Sequence, residues 1–124
     1  MKRDMELVRD ILLIVNEDPK YDGVYFNYFQ TAKEFGIEDH STEEVAYHVR
    51  LLMNAGFLNG RIEESFLIPS IKGLTWSGQE LVDNIKNRDI WESTKKRIVG
   101  FSSVALSVIA EIAESEIKHK LGLP

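Results

Sequence analysis

The chain has 124 residues, of which 44% are apolar and 28% charged, and it carries a formal net charge of −5 and no cysteine. This length suits one compact domain with an added terminal element, and the mixture of charged and aromatic residues excludes a disordered chain. The lack of cysteine excludes disulfides, thiolate catalysis and cysteine zinc sites. Because nucleic-acid binders usually carry a basic excess, the acidic balance also argues against an extended phosphate-binding surface.

Nothing in the chain predicts export or a membrane span. The opening residues, Met-Lys-Arg-Asp-Met-Glu, mix both charge signs and lead into no apolar run with a cleavage site. The longest uncharged stretch, Ile98 to Ala110, is shorter than the ~20 apolar residues of a spanning helix and contains Gly100. We therefore expect a cytoplasmic protein with no membrane partner.

Two helices and a short strand are predicted in the first third of the chain. Asp4 can cap a helix that runs to Glu17, along which apolar residues recur at spacings of three and four. The aromatic and β-branched stretch from Val24 to Phe29 favours a short strand. Thr31 to Ile37 is typical of a brief helix that Gly36 ends, in the place of the second helix of a helix-turn-helix.

A third helix has two distinct faces. Ser41 or Thr42 can cap a helix that begins at Glu43, and Gly56 can end it with a left-handed residue. The helical repeat separates an apolar face from a polar one. The apolar face carries Val45, His48, Val49, Leu52 and Ala55, and the opposite face carries Glu43, Tyr47, Arg50 and Asn54. The first face predicts burial, and the second predicts a surface that can contact a partner.

A hairpin and three helices are predicted to follow. The β-rich runs Phe57 to Ile62 and Phe66 to Leu74 form the hairpin, in which Pro69 limits the second run to an edge or a bulge. Thr75 or Ser77 caps the next helix, which carries Leu81, and Ser77 has the capping-box spacing to Glu80.

The last two helices make up the tail of the chain. A short one is predicted from Ile90 to Ile98 with Asp89 as its cap. A final one begins at Ser102 or Ser103 and runs to Lys120. Its apolar stripe consists of Val104, Val108, Ile112, Ala113, Ile117 and Leu121.

The order of these elements is that of a winged helix-turn-helix. The predicted fold class is therefore α+β and mainly α, with a two-stranded wing and an added C-terminal helical tail. We expect a winged-helix domain over residues 1–88 and a helical extension over residues 89–124. The extension either packs on the domain or dimerises.

Two phrases of the sequence carry a family resemblance. Val45-Ala-Tyr-His-Val-Arg-Leu-Leu-Met-Asn-Ala-Gly-Phe-Leu58 is similar to the third helix of many winged-helix regulators, and Leu74-Thr-Trp-Ser-Gly-Gln-Glu-Leu81 is similar to the motif that closes their wing. With its Met-Lys-Arg-Asp-Met opening and Lys-His-Lys-Leu-Gly-Leu ending, the whole chain resembles a family of small bacterial, phage and prophage proteins of unknown function. The resemblance implies a winged-helix fold and a mobile-element setting, and it supplies no ligand.

The candidate DNA-contacting residues lie on the third helix and the wing. Tyr47, Arg50 and Asn54 can contact base edges in the major groove, because arginine and asparagine offer bidentate hydrogen bonds. A solvated helix face is the alternative, since the adjacent acids Glu43 and Glu44 repel phosphates. Arg61 and Lys72 of the wing can touch the DNA backbone, although the acids between them offset their charge. A second basic group consists of Lys86, Arg88, Lys95, Lys96 and Arg97.

No enzyme, metal site or cofactor is predicted. His48 lies on the apolar helix face and is interpreted as a core histidine satisfied by one hydrogen bond. No nucleophile elbow and no phosphate-binding glycine loop is present in the sequence. Trp76 and Trp91 are interpreted as core or interface anchors whose indole N–H groups need acceptors.

Two functional hypotheses follow from the sequence. The first is a DNA-binding protein, a small transcriptional regulator from a phage or other mobile element, whose partner is double-stranded DNA. The second is an acidic protein-interaction module that keeps the scaffold and binds a protein partner without binding DNA. Either one can form a homodimer through the helix from Ser103 to Lys120.

Overall fold

The protein is mainly helical, with one small antiparallel sheet. A computed structural model describes residues 1–98 and 104–124, and within them there are six helices and two strands. The elements are α1 (Met5–Glu17), α2 (Ala32–Phe35), α3 (Thr42–Asn54), β1 (Leu58–Arg61), β2 (Ser70–Leu74), α4 (Trp76–Ile85), α5 (Arg88–Lys96) and α6 (Leu106–Lys120). The predicted α+β class is thereby confirmed. None of the described helices is long and apolar enough to cross a membrane.

Side-chain caps begin the first three helices. The Asp4 carboxylate accepts hydrogen bonds from two backbone N–H groups of α1, as predicted. Thr31 caps α2, and Gly36 ends it with a φ of 113°. Ser41, rather than Thr42, caps α3, so the helix begins one residue before the predicted Glu43. Gly56, with a φ of 85°, turns the chain from α3 towards β1.

The strand predicted from Val24 to Phe29 is reduced to a single bridge between Asn27 and Ile71, in which each N–H donates to the other's carbonyl oxygen. The cause lies just upstream. The Asp22 carboxylate accepts from the backbone N–H groups of Val24 and Tyr25, which bends the chain away from β2. The prediction of a continuous strand was therefore wrong, although its site of pairing exists.

The hairpin is shorter than predicted. Leu58 pairs with Leu74 and Arg61 with Ser70, and the register shifts between Asn59 and Gly60. The second strand begins at Ser70 and not at Phe66, directly after Pro69, which has no N–H to donate to a ladder.

Of the capping predictions for the C-terminal helices, one is confirmed and one is wrong. Thr75 caps α4, so Ser77 is exposed inside the first turn. Asn87 caps α5 in place of Asp89, because its side-chain oxygen lies 3.1 Å from the N–H of Ile90. The predicted start of the last helix at Ser102 or Ser103 lies outside the described residues, and α6 begins at Leu106 without a side-chain cap.

The core is built around α1, which packs against α3 and α4. Helix α6 packs against α4 and α5 through Leu106, Ile109 and Ala113. The stripe predicted for α6 was therefore wrong in part, since its member Ala113 is buried but two other members are exposed. Val108 is 41% exposed and Leu121 is 68% exposed. A periodic pattern defines an apolar stripe, but the neighbouring helices decide which side they cover.

The two tryptophans have opposite environments. Trp91 is buried, and its indole N–H donates to the Glu6 carboxylate at 3.0 Å, as expected of an anchor. Trp76 is 82% exposed, so its assignment to the core or an interface within the chain was wrong. The first turn of α4 points this indole to solvent.

Candidate nucleic-acid interface

The polar face of α3 presents Tyr47, Arg50 and Asn54 together. Their positions are three and four residues apart, so helix geometry places them along one side. Asn54 is exposed, whereas Tyr47 and Arg50 are partly buried. The opposite side of the helix is anchored in the core by Val45 and Val49. The structure therefore gathers the three predicted residues on one surface.

Arg50 is the cation of this surface. Across residues 1–98 and 104–124 it forms no ion pair, so its guanidinium has its hydrogen-bonding capacity available. An arginine without a carboxylate partner can donate two parallel hydrogen bonds to a base edge or a phosphate.

The two acids at the start of α3 have different roles. The carboxylate of Glu44 accepts the backbone N–H of Ser41 at 3.1 Å, while the Ser41 hydroxyl accepts the N–H of Glu44 at 3.1 Å. The backbone hydrogen bond from Ser41 lowers the pKa of Glu44. This capping box holds Glu44 at the helix end. Of the pair, Glu43 alone remains as an exposed acid beside Tyr47.

His48 is a buried structural histidine. Its Nε2 accepts the backbone N–H of Asp4 at 2.7 Å, and its Nδ1 lies 2.7 Å from the carbonyl oxygen of Glu44, to which the N–H donates. The sequence interpretation as a core residue agrees with this burial, but the ring makes two hydrogen bonds instead of one. The second bond attaches the N-terminal residues to α3.

The N-terminal segment attached in this way carries two cations that the sequence analysis did not identify as candidate contact residues. Lys2 is exposed and lies two residues before the contact with His48. Arg3 interacts electrostatically with Tyr47 and donates a hydrogen bond to the carbonyl oxygen of Val104. The only signal in the sequence was a histidine on an apolar helix face. Such a histidine needs a hydrogen-bond partner, but the sequence does not identify which residue provides it.

The hairpin residues Arg61 and Lys72 meet at the ring of Phe26. The Arg61 guanidinium lies 4.1 Å from the ring centroid, and the Lys72 ammonium lies 5.0 Å from it. Arg61 also donates to Glu63 at 2.7 Å and to the Tyr28 hydroxyl at 3.0 Å. Its charge is therefore offset locally, as the spacing of the acids suggested.

Lys72 differs from Arg61 in its surroundings. Within the described part of the chain it forms no ion pair, so its charge is balanced by no carboxylate. No described hydrogen bond or ion pair joins these two hairpin residues to the polar face of α3.

The basic group of α4 and α5 is largely neutralised. Lys95 pairs with Glu6 and Glu92, and Arg88 pairs with the same two acids. Burial raises the pKa of Glu6, but hydrogen bonds from Lys95 and Trp91 together lower it below its usual value. Further pairs join Arg97 to Glu116 and Lys86 to Asp83. Lys96 is exposed and has no such pair among the described residues.

Acidic and histidine side chains do not form a metal-binding group in the described ranges, where no three of them are suitably placed. His40 contacts Asp4 and Asp39, and His48 contacts backbone groups. His40 and His48 therefore have structural roles.

Comparison with known proteins places this architecture in a family. The family described as "Hypothetical protein (DUF2513)" matches residues 2–105. The chain belongs to the DUF2513 family. This match covers α1 to α5 and ends just before α6 begins at Leu106.

A relative extends the similarity to α6. A protein of Haemophilus influenzae (strain ATCC 51907 / DSM 11121 / KW20 / Rd), described as "Uncharacterized protein", is 32% identical over 126 residues. The alignment covers 98% of this DUF2513 chain and 99% of the relative. No solved structure matches the chain.

Proposed function

We propose that this member of the DUF2513 family is a winged-helix protein that binds double-stranded DNA with α3. The order of the elements supports the fold assignment: a helix, an extended pairing residue at Asn27, two helices and a hairpin. Asn27 pairs with one side of β2 while β1 pairs with the other. A helix-turn-helix with such a flanking sheet is the plan in which a third helix enters the major groove.

The unpaired Arg50 on the exposed side of α3 is the observation that carries the proposal. Tyr47 and Asn54 lie on either side of it along the helix. Asparagine can bond adenine bidentately and arginine can bond guanine bidentately, so the set suits base-edge contacts. Lys72 of the wing and Lys2 of the N-terminal residues supply phosphate contacts on the flanks.

The charge distribution predicts a small footprint. Most cations of α4 and α5 are paired with acids, so few phosphates are neutralised on binding. Binding should therefore be modest in affinity and its salt slope shallow compared with that of strongly basic domains. A role as a small transcriptional regulator of a phage or other mobile element rests on the sequence resemblance.

The test is a titration of a fluorescein-labelled DNA duplex with the full chain, read by anisotropy at about 50 mM and about 200 mM salt. Arg50→Glu should weaken binding by about tenfold or more, because it removes a cation and places an anion in the groove. Lys96→Glu makes the same change in net charge on exposed α5 and should leave affinity within about twofold.

Two outcomes would count against DNA binding. One is no anisotropy change with any duplex at the lower salt. The other is an equal loss in both variants, which would mean that the chain responds to net charge and not to the surface of α3. Circular dichroism of both variants checks that the helices are retained.

A second function, protein docking without DNA contact, is favoured by the same ion pairing. When the cations of α4 and α5 are neutralised and the net charge is −5, the molecule repels a polyanion outside α3 and the wing. In that case the chain is a non-catalytic interaction module. Wild-type protein that binds no duplex but is cross-linked to one specific partner protein would support it.

We further propose that the chain forms a homodimer through α6. A second copy would cover Val108 and the partly buried Ile112, which lie one helical turn apart on the side of α6 away from Leu106 and Ile109. DNA sites with two-fold symmetry are bound by such dimers.

A further inference from the structure

A groove lies between α4 and α6. It encloses about 280 Å³ and is lined along its floor by Phe57, Leu81 and Ala110. Glu80 projects from α4 on one side, and Glu111 and Glu114 project from α6 on the other. The groove thus has an apolar floor and acidic walls.

The charge of these walls is only partly balanced by cations among the described residues. No lysine, arginine or histidine is among the described residues that line the groove. Glu80 and Glu111 form no ion pair within residues 1–98 and 104–124, whereas Glu114 contacts Lys118 at 3.4 Å. Two like charges facing a confined space raise the local affinity for a cation.

Trp76 lies on α4, the helix that forms one side of this groove. It begins α4 next to the lining residue Ser77, and it is four residues before Glu80, so the two side chains share one strip of the helix. An indole that is 82% exposed leaves a large apolar surface in water. Tryptophan next to carboxylates is a favourable surface for arginine, which can stack on the ring and bond the acid.

We propose that this groove binds a basic polypeptide segment of another protein, with an apolar side chain on the floor and lysine or arginine residues against Glu80 and Glu111. The complementarity of charge identifies the partner's chemistry, and the floor requires at least one apolar residue. Trp76 covers the bound segment. The interaction uses none of the DNA-contacting residues of α3, so it goes beyond the proposed function.

Intrinsic fluorescence of the full chain reports this binding. Trp91 is buried and gives a constant background, so a shift of the emission to shorter wavelength on binding comes from Trp76. The probe is a synthetic amphipathic peptide of leucine and lysine at helical spacing. Its counterpart has glutamate at every lysine position. We expect binding and the fluorescence shift with the first peptide and neither with the second.

Variants separate the groove from general attraction to an acidic protein. The double change Glu80→Gln and Glu111→Gln should weaken binding of the lysine peptide by about tenfold. Glu38→Gln with Glu64→Gln removes the same charge from exposed positions outside the groove and should change affinity by less than about twofold. Trp76→Ala should abolish the fluorescence shift and weaken binding measured by calorimetry.

Three results would overturn the proposal. They are unchanged affinity in the groove variant, an equal loss in the charge-matched control, and protection of Trp76 by self-association in the absence of peptide. The DNA titration of the groove variant distinguishes peptide binding in the groove from DNA binding by α3. It should equal that of the wild type, because the groove does not include Tyr47, Arg50 or Asn54.

Discussion

At the scale of single residues, Asp4 joins three parts of the molecule. Its carboxylate caps α1 and lies 3.1 Å from Nε2 of His40, in the turn before α3. Its backbone N–H donates to His48 inside α3. One aspartate and two histidines therefore link α3 to the start of α1, and His40 is the member of the group whose titration can be tested.

The pKa of His40 provides a test of this arrangement. Partial burial lowers the pKa, but hydrogen bonds that the His40 ring donates to the Asp4 and Asp39 carboxylates outweigh it, so the folded value is raised. The stabilisation is complete below the unfolded histidine pKa of about 6.5 and is lost as pH rises through the higher folded value. His40→Asn should therefore lower the free energy of unfolding more at pH about 5.5 than at pH about 8.5.

Urea unfolding at the two pH values measures this difference, which should be below about 1 kcal/mol because Asp4 is partly exposed. Protonation of Asp4 sets the lower pH limit of this stabilisation. Although burial raises its pKa, hydrogen bonding with His40 and the backbone lowers it overall, so its contribution is lost only as pH falls through that lowered value. His119→Asn, on an exposed helix position, is the control. An equal loss at both pH values for His40→Asn would contradict the interpretation.

At the scale of elements, the junction between the hairpin and α4 depends on Gly78. A Cβ atom at this position would lie 2.0 Å from the carbonyl oxygen of Phe57, which accepts the N–H of Thr75 at 3.1 Å. The first turn of α4 thus packs directly against the chain that leaves α3. This contact gives a physical reason for the glycine in the phrase Leu74-Thr-Trp-Ser-Gly-Gln-Glu-Leu81.

Gly78→Ala should therefore destabilise the protein by about 3 kcal/mol, since either backbone segment must move to make room. The sign of the change in unfolding free energy distinguishes this steric effect from helix propensity. Helix propensity alone would make alanine stabilising by about 1 kcal/mol at a helical glycine. Ser77→Ala, at the exposed neighbouring position, should change the unfolding free energy by less than about 0.5 kcal/mol. Thermal unfolding of the two variants compares them, and a Gly78→Ala protein as stable as wild type would contradict the contact.

At the scale of the whole molecule, ion pairs connect the tail to the rest of the chain. The Glu6 carboxylate of α1 accepts hydrogen bonds from Lys95 and Trp91 of α5, and Arg97 pairs with Glu116 of α6. Buried Arg9 donates to the carbonyl oxygens of Ile85 and Lys86 at the end of α4, where the helix dipole favours a cation. The division into residues 1–88 and 89–124 stays a prediction, and the contacts of Glu6 with Lys95 and Trp91 cross it.

Self-association is the prediction that belongs to this scale. Because α6 already buries Leu106, Ile109 and Ala113 within its own chain, the apolar area left for a second copy is small. We expect weak dimerisation, so the mass from sedimentation should rise above 14.2 kDa only with increasing concentration. Val108→Glu should keep the chain monomeric, while Lys118→Gln makes the same change in charge and should not. A single-chain mass at every concentration would exclude the α6 dimer.

The amino-acid sequence by itself determined the features that depend on one or two helical turns. Asp4, Ser41 and Gly56 were identified as helix ends because caps act on backbone groups within three residues. The separation of His48 from Arg50 on α3 followed from the helical repeat alone. The mainly helical α+β class followed from the order of such local signals.

Tertiary structure decided everything that depends on which surfaces meet. Glu6 and Lys95 are far apart along the chain, so periodicity did not reveal that the basic group of α5 is neutralised. The buried side of α6 was set by α4 and α5, and the exposure of Trp76 was set by how α4 packs beside Phe57. Burial and ion pairing are properties of neighbours in space, and the sequence specifies those neighbours only through the folded chain.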